Sequence, residues 1–465
     1  MAVSQNPRTL SDPAGASAAQ TVEVAVVGGG LSGLVAARSL VQARRSVVVL
    51  EASGRTGGRI QNADVGGVVC ELGGEWVSPA QTHIQALLTA FGIETFDTYT
   101  TGKSTLYYEG KVTRFDEPPP PLPLESVVEI AAAIAEFDLM ATDVPLETPW
   151  TAPEAAAWDA RTVATWLDAN IVTTAARTTL ELLTSGAICV APRDVSLLHY
   201  LFIVASTGGA EKLGSIKGGV LESRIVGGSG VLVEKLTAEL GDRVMLDAPV
   251  RLIDQSGSTV RLITDRGVII ADRVIVAVAP AMAGRISYEP PLPAARDQLT
   301  QRAPMGWAIK CFASYPTAFW RETGLNGFVN NLTPGAMIDG VFDNSPPSGT
   351  PGALYGLIEG DAARLWGPRP AAERKTAVLE AFATYFGPEA RTPADYLEQD
   401  WAMEPWIRGG ATMAFGPGVW TEYGAALRAP VDRIHWAGAE TATQACGSMD
   451  GAISAAERAV QEVLA

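Results

Sequence analysis

Residues 22–59, VEVAVVGGGLSGLVAARSLVQARRSVVVLEASGRTGGR, constrain this chain more than any other stretch. A β-branched apolar run, 22–27, turns through Gly28, Gly30 and Gly33 into an Ala/Leu-rich helix, and a second strand, 46–51, closes on Glu51. Strand, glycine turn, helix, strand and acid in this register specify a βαβ unit with a dinucleotide-binding turn. Gly28 allows the tight turn, Gly30 keeps a Cβ out of the path of a pyrophosphate, and Gly33 lets the helix lie close on the sheet. The first helical N–H groups and the helix dipole then face the diphosphate. Glu51 is placed to accept hydrogen bonds from a ribose diol, and a carboxylate there repels a 2′-phosphate.

Downstream, Arg55, Gly58 and Arg59 belong to RTGGR, a glycine pair between guanidinium groups that can reach the same diphosphate. A nicotinamide-binding domain does not need this addition, so it shifts the expected cofactor from NAD to FAD. In ELGGEWV, residues 71–77, a further close-approach pair ending at Gly74 is followed by Glu75 and Trp76. Near the C-terminus the strand-like IHWAGAET, 434–441, runs into Gly438, and Asp450-Gly451 leads into a helix over 452–464 that offers another set of N–H donors.

At 465 residues the chain exceeds one ordinary core, so two intertwined domains are expected. Its net charge of −16 argues against nucleic acid or an anionic membrane as partner and suits a cationic small molecule. Cys70, Cys189, Cys311 and Cys446 form no CxxC pair, and His83, His199 and His435 have no metal-ligand spacing, so no metal site or disulfide framework is expected. A reducing, cytoplasmic setting fits that usage. Residues 1–20, polar and rich in Ser, Ala and Pro, read as a disordered leader.

Periodicity predicts helices over 81–91, 124–140, 163–169, 173–185, 196–206 and 371–386, with another beginning at Gly230. It predicts strands at 104–115, 250–254, 260–264, 268–270, 274–278, 307–313 and 396–401, and a Pro/Gly-rich loop over 334–352. The fold class is therefore α/β plus α+β, a Rossmann-type FAD-binding domain interleaved with a second, mixed sheet and helical domain. The expected division gives 21–100, 220–304 and 420–465 to the first and 101–219 and 305–419 to the second.

With the opening fingerprint, RTGGR, GGEWV, VGGSG, Lys310 and HWAGAET in this order, the sequence resembles the flavin-containing amine oxidases of the monoamine oxidase type over roughly residues 22–463. The resemblance implies FAD in an extended pose beneath an interleaved substrate domain. It places Gly28, Gly30, Gly33, Glu51, Arg55, Gly58 and Arg59 at the adenosine and diphosphate, with Ser53 where the family usually has an arginine. Val250 falls at the adenine, and Gly74, Glu75, Glu440, Ser448 and Met449 fall in flavin-contacting segments. Lys310 matches the lysine that faces flavin N5 through a water, and Trp401 the aromatic packed on the ring. Trp76, Ile188, Thr412 and Ser448 fall on the substrate cavity.

The implied reaction takes the α C–H of an amine as hydride, hydrolyses the imine and returns the electrons to dioxygen, giving hydrogen peroxide. Two further departures are visible. Ala411 stands where mammalian-type enzymes bond the flavin through cysteine, so FAD is expected to be non-covalent, with Cys446 as a remote substitute. Thr412 and Ser448 replace the two aromatic rings that frame the amine, so either hydroxyl hydrogen bonds and shape orient it or the substrate is not a simple arylalkylamine; the room left by small side chains makes a bulky or branched amine the expectation. An L-amino-acid oxidase, a flavoprotein desaturase and a non-catalytic flavin-binding protein are the alternatives. The partners expected are an amine and dioxygen, with neither membrane nor nucleic acid, and a homo-oligomer is compatible with the chain.

Overall fold

A computed structural model describes residues 19–116 and 119–465. Most of the expected leader, 1–18, and residue 118 of the proline run lie outside the described residues, while Gln20 already opens the first strand. That strand, Gln20–Val27, lies parallel to Val47–Leu50 on one side and to Gly267–Val276 on the other. Val24 to Val27 are buried, as a parallel sheet covered on both faces requires.

Gly267–Val276 joins two kinds of pairing. One edge is parallel to Gln20–Val27 from residue 269 to 276; along the other edge its first half is antiparallel to Val260–Thr264, itself antiparallel to Val250–Asp254, and its end is parallel to Ile434–Trp436. The sequence predicts two short strands here, at 268–270 and 274–278. The structure has one, because Asp272 and Arg273, which read as a turn, are exposed residues within a continuous strand.

A second sheet of seven strands runs in the order Asp395–Asp400, Ala308–Tyr315, Gly352–Glu359, Gly340–Asp343, Leu325–Asn331, Lys103–Tyr108, Lys111–Phe115. The two segments that interrupt the first fold therefore meet, through the parallel pairing of Lys103–Tyr108 with Leu325–Asn331. The predicted loop over 334–352 is corrected: Gly340–Asp343 lies within it and pairs on both sides. Its four residues are too few for periodicity to register, and Leu325–Asn331 is masked in the sequence by its Gly and Asn residues.

Helices Leu124–Thr142, Thr174–Ile188 and Leu197–Thr207 share one apolar cluster around Phe137, Trp166, Phe202 and Trp420. Thr173 and Ser196 cap two of them by accepting from Ala176 N and His199 N. The C-terminal helix, Met449–Leu464, packs in one cluster with Leu31–Gln42, where Ala36 and Ala37 on one helix and Ala456 and Ala459 on the other allow close approach. No helix among the described residues is long and apolar enough to cross a membrane.

Candidate active site

A cavity of about 870 Å³ runs from the glycine turn of the first sheet to the face of the second. The three fingerprint glycines are needed for three different reasons. Gly28 has φ +104°, in the left-handed region. A Cβ on Gly33 would lie 1.9 Å from the Gly28 carbonyl oxygen, so this residue sets how closely helix and strand approach. A Cβ on Gly30 would meet no protein atom nearer than 3.9 Å, and the residue lies on the cavity wall at the start of Leu31–Gln42. The described residues therefore do not themselves require glycine at Gly30, and its bare backbone leaves room on the wall for an occupant. Gly30→Ala is therefore expected to leave the stability of the flavin-free protein within about 1 kcal/mol of the parent while lowering flavin affinity at least about tenfold. Denaturant melts and flavin titration of the same preparation measure the two quantities.

Glu51 is buried at the end of its strand, and its oxygens are already engaged. Oε2 accepts from Gly29 N at 2.6 Å, and Oε1 accepts from the Ser53 N–H and hydroxyl, each at 2.8 Å. The carboxylate thus fixes the turn on which it was expected only to await a ribose, with lone pairs left for one. Arg55 lines the cavity while its guanidinium donates to the carbonyls of Thr56, Gly58 and Ile60. Arg59 also reaches the wall and is held by both oxygens of Glu440, whose side chain is fully buried and off the wall. Glu440 acts on the cavity through Arg59. Val250, Gly58, Gly74, Ser448 and Met449 all line it.

At the other end stands Lys310. It lies on a central strand, paired on both sides, so its ammonium cannot escape to solvent past an edge. Nζ donates to Glu71 O at 2.9 Å, Gly73 O at 3.0 Å and Glu75 Oε2 at 2.8 Å. Glu75 Oε1 in turn meets Arg224 Nε at 3.2 Å, and Arg224 donates to Glu71 Oε2 at 2.6 Å. Two cations and two carboxylates, all nearly inaccessible, thus compensate one another, which lowers the otherwise large cost of burying Lys310. Burial pushes the Glu71 carboxyl up to about 7 against the opposing pull of Arg224. Sequence reasoning identified Lys310 and Glu75 but not their ion pair, nor the part of Arg224, which carries no local motif.

Trp401 and Trp76 both line the cavity. The Trp401 indole donates to Leu72 O at 2.7 Å, while Trp76 packs on Phe342 and Tyr355. Thr412 and Ser448 are on the wall too, but their hydroxyl protons are spent: Thr412 Oγ1 on Glu440 Oε1 at 3.3 Å and Ser448 Oγ on Ala445 O at 2.7 Å. Ser448 also caps the C-terminal helix by accepting from Gly451 N. Toward an amine these hydroxyls are therefore left as acceptors. Ile188 is corrected: it turns into the helical cluster, and its neighbours Gly186, Ala187 and Cys189 form the wall instead. Tyr355 and Leu357, missed in the sequence, complete it from the strand beside Lys310. The alternation in ALYGLIE was the available signal. Cys446 also lines the cavity, but burial pushes its thiol up to about 12, away from the reactive thiolate.

Residues 31–464 match the family model described as flavin containing amine oxidoreductase. The chain belongs to the flavin-containing amine oxidase family. It is 36% identical over 453 residues to an L-amino acid dehydrogenase of Synechocystis sp., covering 94% of each chain. Among solved structures, putrescine oxidase bound to putrescine superposes with a TM-score of 0.92 at 34% identity, over 96% of this chain and 99% of that one. Cyclohexylamine oxidase from Brevibacterium oxydans IH-35A does so at 0.90 and 32%, over 95% and 98%. The chain is thus an FAD-dependent oxidoreductase acting on amines. FAD fits the residues present, since the bare Gly30 backbone, the helix start behind it and the Arg55 and Arg59 side chains line one end of the same cavity whose other end is Lys310. Ala411, also on the wall, has no thiol with which to bond it.

Proposed function

We propose that the chain oxidises a bulky primary or secondary amine at its α C–H, with the net balance amine plus dioxygen plus water giving carbonyl compound, ammonia or a smaller amine, and hydrogen peroxide. One observation carries the reading: the glycine cradle and the compensated Lys310 cluster lie on one continuous cavity. Bound there, FAD would supply the two-electron acceptor and pass the electrons on to dioxygen. The chain's own residues do the rest. Gly30, Arg55 and Arg59 would bind the diphosphate, Glu51 the ribose and Val250 the adenine. Lys310, held by Glu75, would keep a fixed positive charge at the reacting end, and Trp401 with Trp76 would wall that end with apolar rings. A dry, aromatic-walled site disfavours the ammonium form of the amine, and only the neutral amine can give up hydride. The chain division drawn from the sequence assigns the cradle to an FAD-binding domain and the Lys310 sheet to a substrate domain, and we extend the proposal to that division.

The names of the relatives span an amino acid, a diamine and an alicyclic amine, so family membership leaves the substrate open. Small side chains at Thr412 and Ser448 favour a bulky or branched amine over one clamped between two rings. The holoenzyme, mixed anaerobically with arylalkyl, branched, alicyclic and diamine substrates and with amino acids, is expected to lose its visible flavin band fastest with a bulky amine, and to form peroxide when air is admitted. Small arylalkylamines leading by a wide margin in kcat/KM would overturn the substrate class. Reduction by amino acids alone would overturn the amine.

A further inference from the structure

Around Lys310, the side-chain donors of the wall are mostly spent or shut away. Lys310 gives its three protons to Glu71 O, Gly73 O and Glu75 Oε2. The Trp401 indole gives its own to Leu72 O, Thr412 to Glu440 Oε1 and Ser448 to Ala445 O. Trp76 Nε1 has no partner, but it is closed off from any accessible surface. Tyr355 differs. It is 2% exposed and lines the cavity, yet among the described residues nothing hydrogen-bonds its hydroxyl, which is not one of the closed-off polar atoms. Burial first, and then the charge of Glu75, hold that hydroxyl well above its ordinary range, so it keeps its proton.

Strand register fixes where this hydroxyl points. Tyr355 lies opposite Phe312 on one neighbouring strand and Phe342 on the other. Its ring stacks with both, at 5.2 and 5.7 Å between centroids and 19° and 21° between planes, and Trp76 leans on it at 5.8 Å. Lys310 Nζ sits 4.3 Å from the ring centre. Alternate residues of Gly352–Glu359 share a face, and Leu357, on the face of Tyr355, lines the cavity with Lys310 and Ala308. Strand side chains stand roughly perpendicular to the sheet, so with rings on both sides the phenol enters the cavity tip first, beside Lys310. The hydroxyl is thus a neutral donor held in a fixed place.

What can use such a donor follows by elimination. The N–H groups of an amine need acceptors, and Thr412 and Ser448 already present those. The amine's own lone pair must stay free to expel hydride. A carboxylate would bring into a dry site a charge that Lys310 and Arg224, already paired, do not compensate. A neutral oxygen on the body of the substrate meets none of these objections. We propose that Tyr355 donates a hydrogen bond to such an oxygen, and that the substrate is a bulky amine carrying a hydroxyl, ether or carbonyl group. This rests on the amine-oxidase reading above. An analogue without the oxygen leaves the donor unpaired in a closed site, and sites built to hydrogen-bond a polar group discriminate strongly against analogues that lack it.

The test uses the holoenzyme with branched and alicyclic amines bearing a hydroxyl, ether or carbonyl oxygen at successive positions, each against its deoxy partner. The parent protein is expected to favour the oxygenated amine at one position by at least about tenfold in kcat/KM. Tyr355→Phe keeps the stacked rings, so its denaturation midpoint should stay near the parent's, while the oxygenated-to-deoxy ratio should fall at least about tenfold, chiefly through KM. Comparing the ratio between the two proteins cancels whatever the oxygen does to the amine itself. An oxygenated amine with no α-hydrogen gives a readout without turnover: its binding perturbs the visible flavin band, and its affinity relative to the deoxy partner should fall in Tyr355→Phe. Should Tyr355→Phe fail to retain flavin, Tyr355→Met reports the same ratios. An unchanged ratio in the variants, or no preference for oxygen at any position in the parent, overturns the proposal. If no amine reduces the parent's flavin, the amine-oxidase reading fails instead, and the unreactive pair still decides whether Tyr355 binds the oxygen.

Discussion

Gly33→Ala is expected to unseat the cofactor fold. Alanine is normally the better helix residue by about 1 kcal/mol, so helix propensity alone predicts stabilisation. Here the added Cβ would fall 1.9 Å from Gly28 O and 3.1 Å from Gly28 C, both backbone atoms of the turn that must also keep its left-handed geometry. Neither can rotate away, so the helix Leu31–Gln42 must lift off a sheet on which Leu34 and Leu40 are fully buried. Overpacking of this kind costs about 3 kcal/mol or more. We expect a denaturation midpoint lowered accordingly and purified protein nearly free of flavin, judged by the ratio of visible to ultraviolet absorbance. The pair of glycine variants separates packing from binding: Gly33→Ala should lose stability and flavin together, whereas Gly30→Ala should lose flavin alone. Normal flavin content in Gly33→Ala would refute the packing argument.

The second large effect is expected at Glu75. Removing its carboxylate leaves Lys310 and Arg224 facing each other across a buried site with only Glu71 to share, and breaking one partner of a buried ion pair costs about 3–5 kcal/mol. Glu75→Ala should therefore be strongly destabilised. The double variant Glu75→Leu with Lys310→Met removes a compensated pair, keeps the Arg224–Glu71 bridge and fills the space with apolar side chains. It should be more stable than Glu75→Ala despite carrying more changes. Denaturant melts of the three proteins decide this. Additive losses would mean that the cluster is not one electrostatic unit. Flavin reduction by amine should fall in both variants, since in one Lys310 loses its orienting partner and in the other it is gone.

The parts of the protein legible in the sequence are those whose signal is local. The turn at Gly28, Gly30 and Gly33 is written within a few residues because a left-handed φ, a bare backbone and a close helix each demand glycine at a particular place. Helix 371–386 was predicted to its limits by apolar periodicity, and Lys310 stood out as a charge inside an apolar run. Less local features were misread. The exposed pair Asp272 and Arg273 imitated a turn inside a strand, and Gly340–Asp343 is too short for its alternation to register.

By itself, then, the sequence determined the βαβ cradle, the family and the lysine, because backbone conformation and hydrophobic period are set by neighbours along the chain. Tertiary structure alone decided what surrounds them. Arg224 reaches Glu71 across 153 residues and Lys310 reaches Glu75 across 235, and no periodicity spans such distances. Ile188 lies in a helix whose period fits core and cavity equally, and packing turned it to the core. Glu359 looks like any acid at a strand end until the sheet is assembled. Only then does its row prove to be the row of Lys310's neighbours.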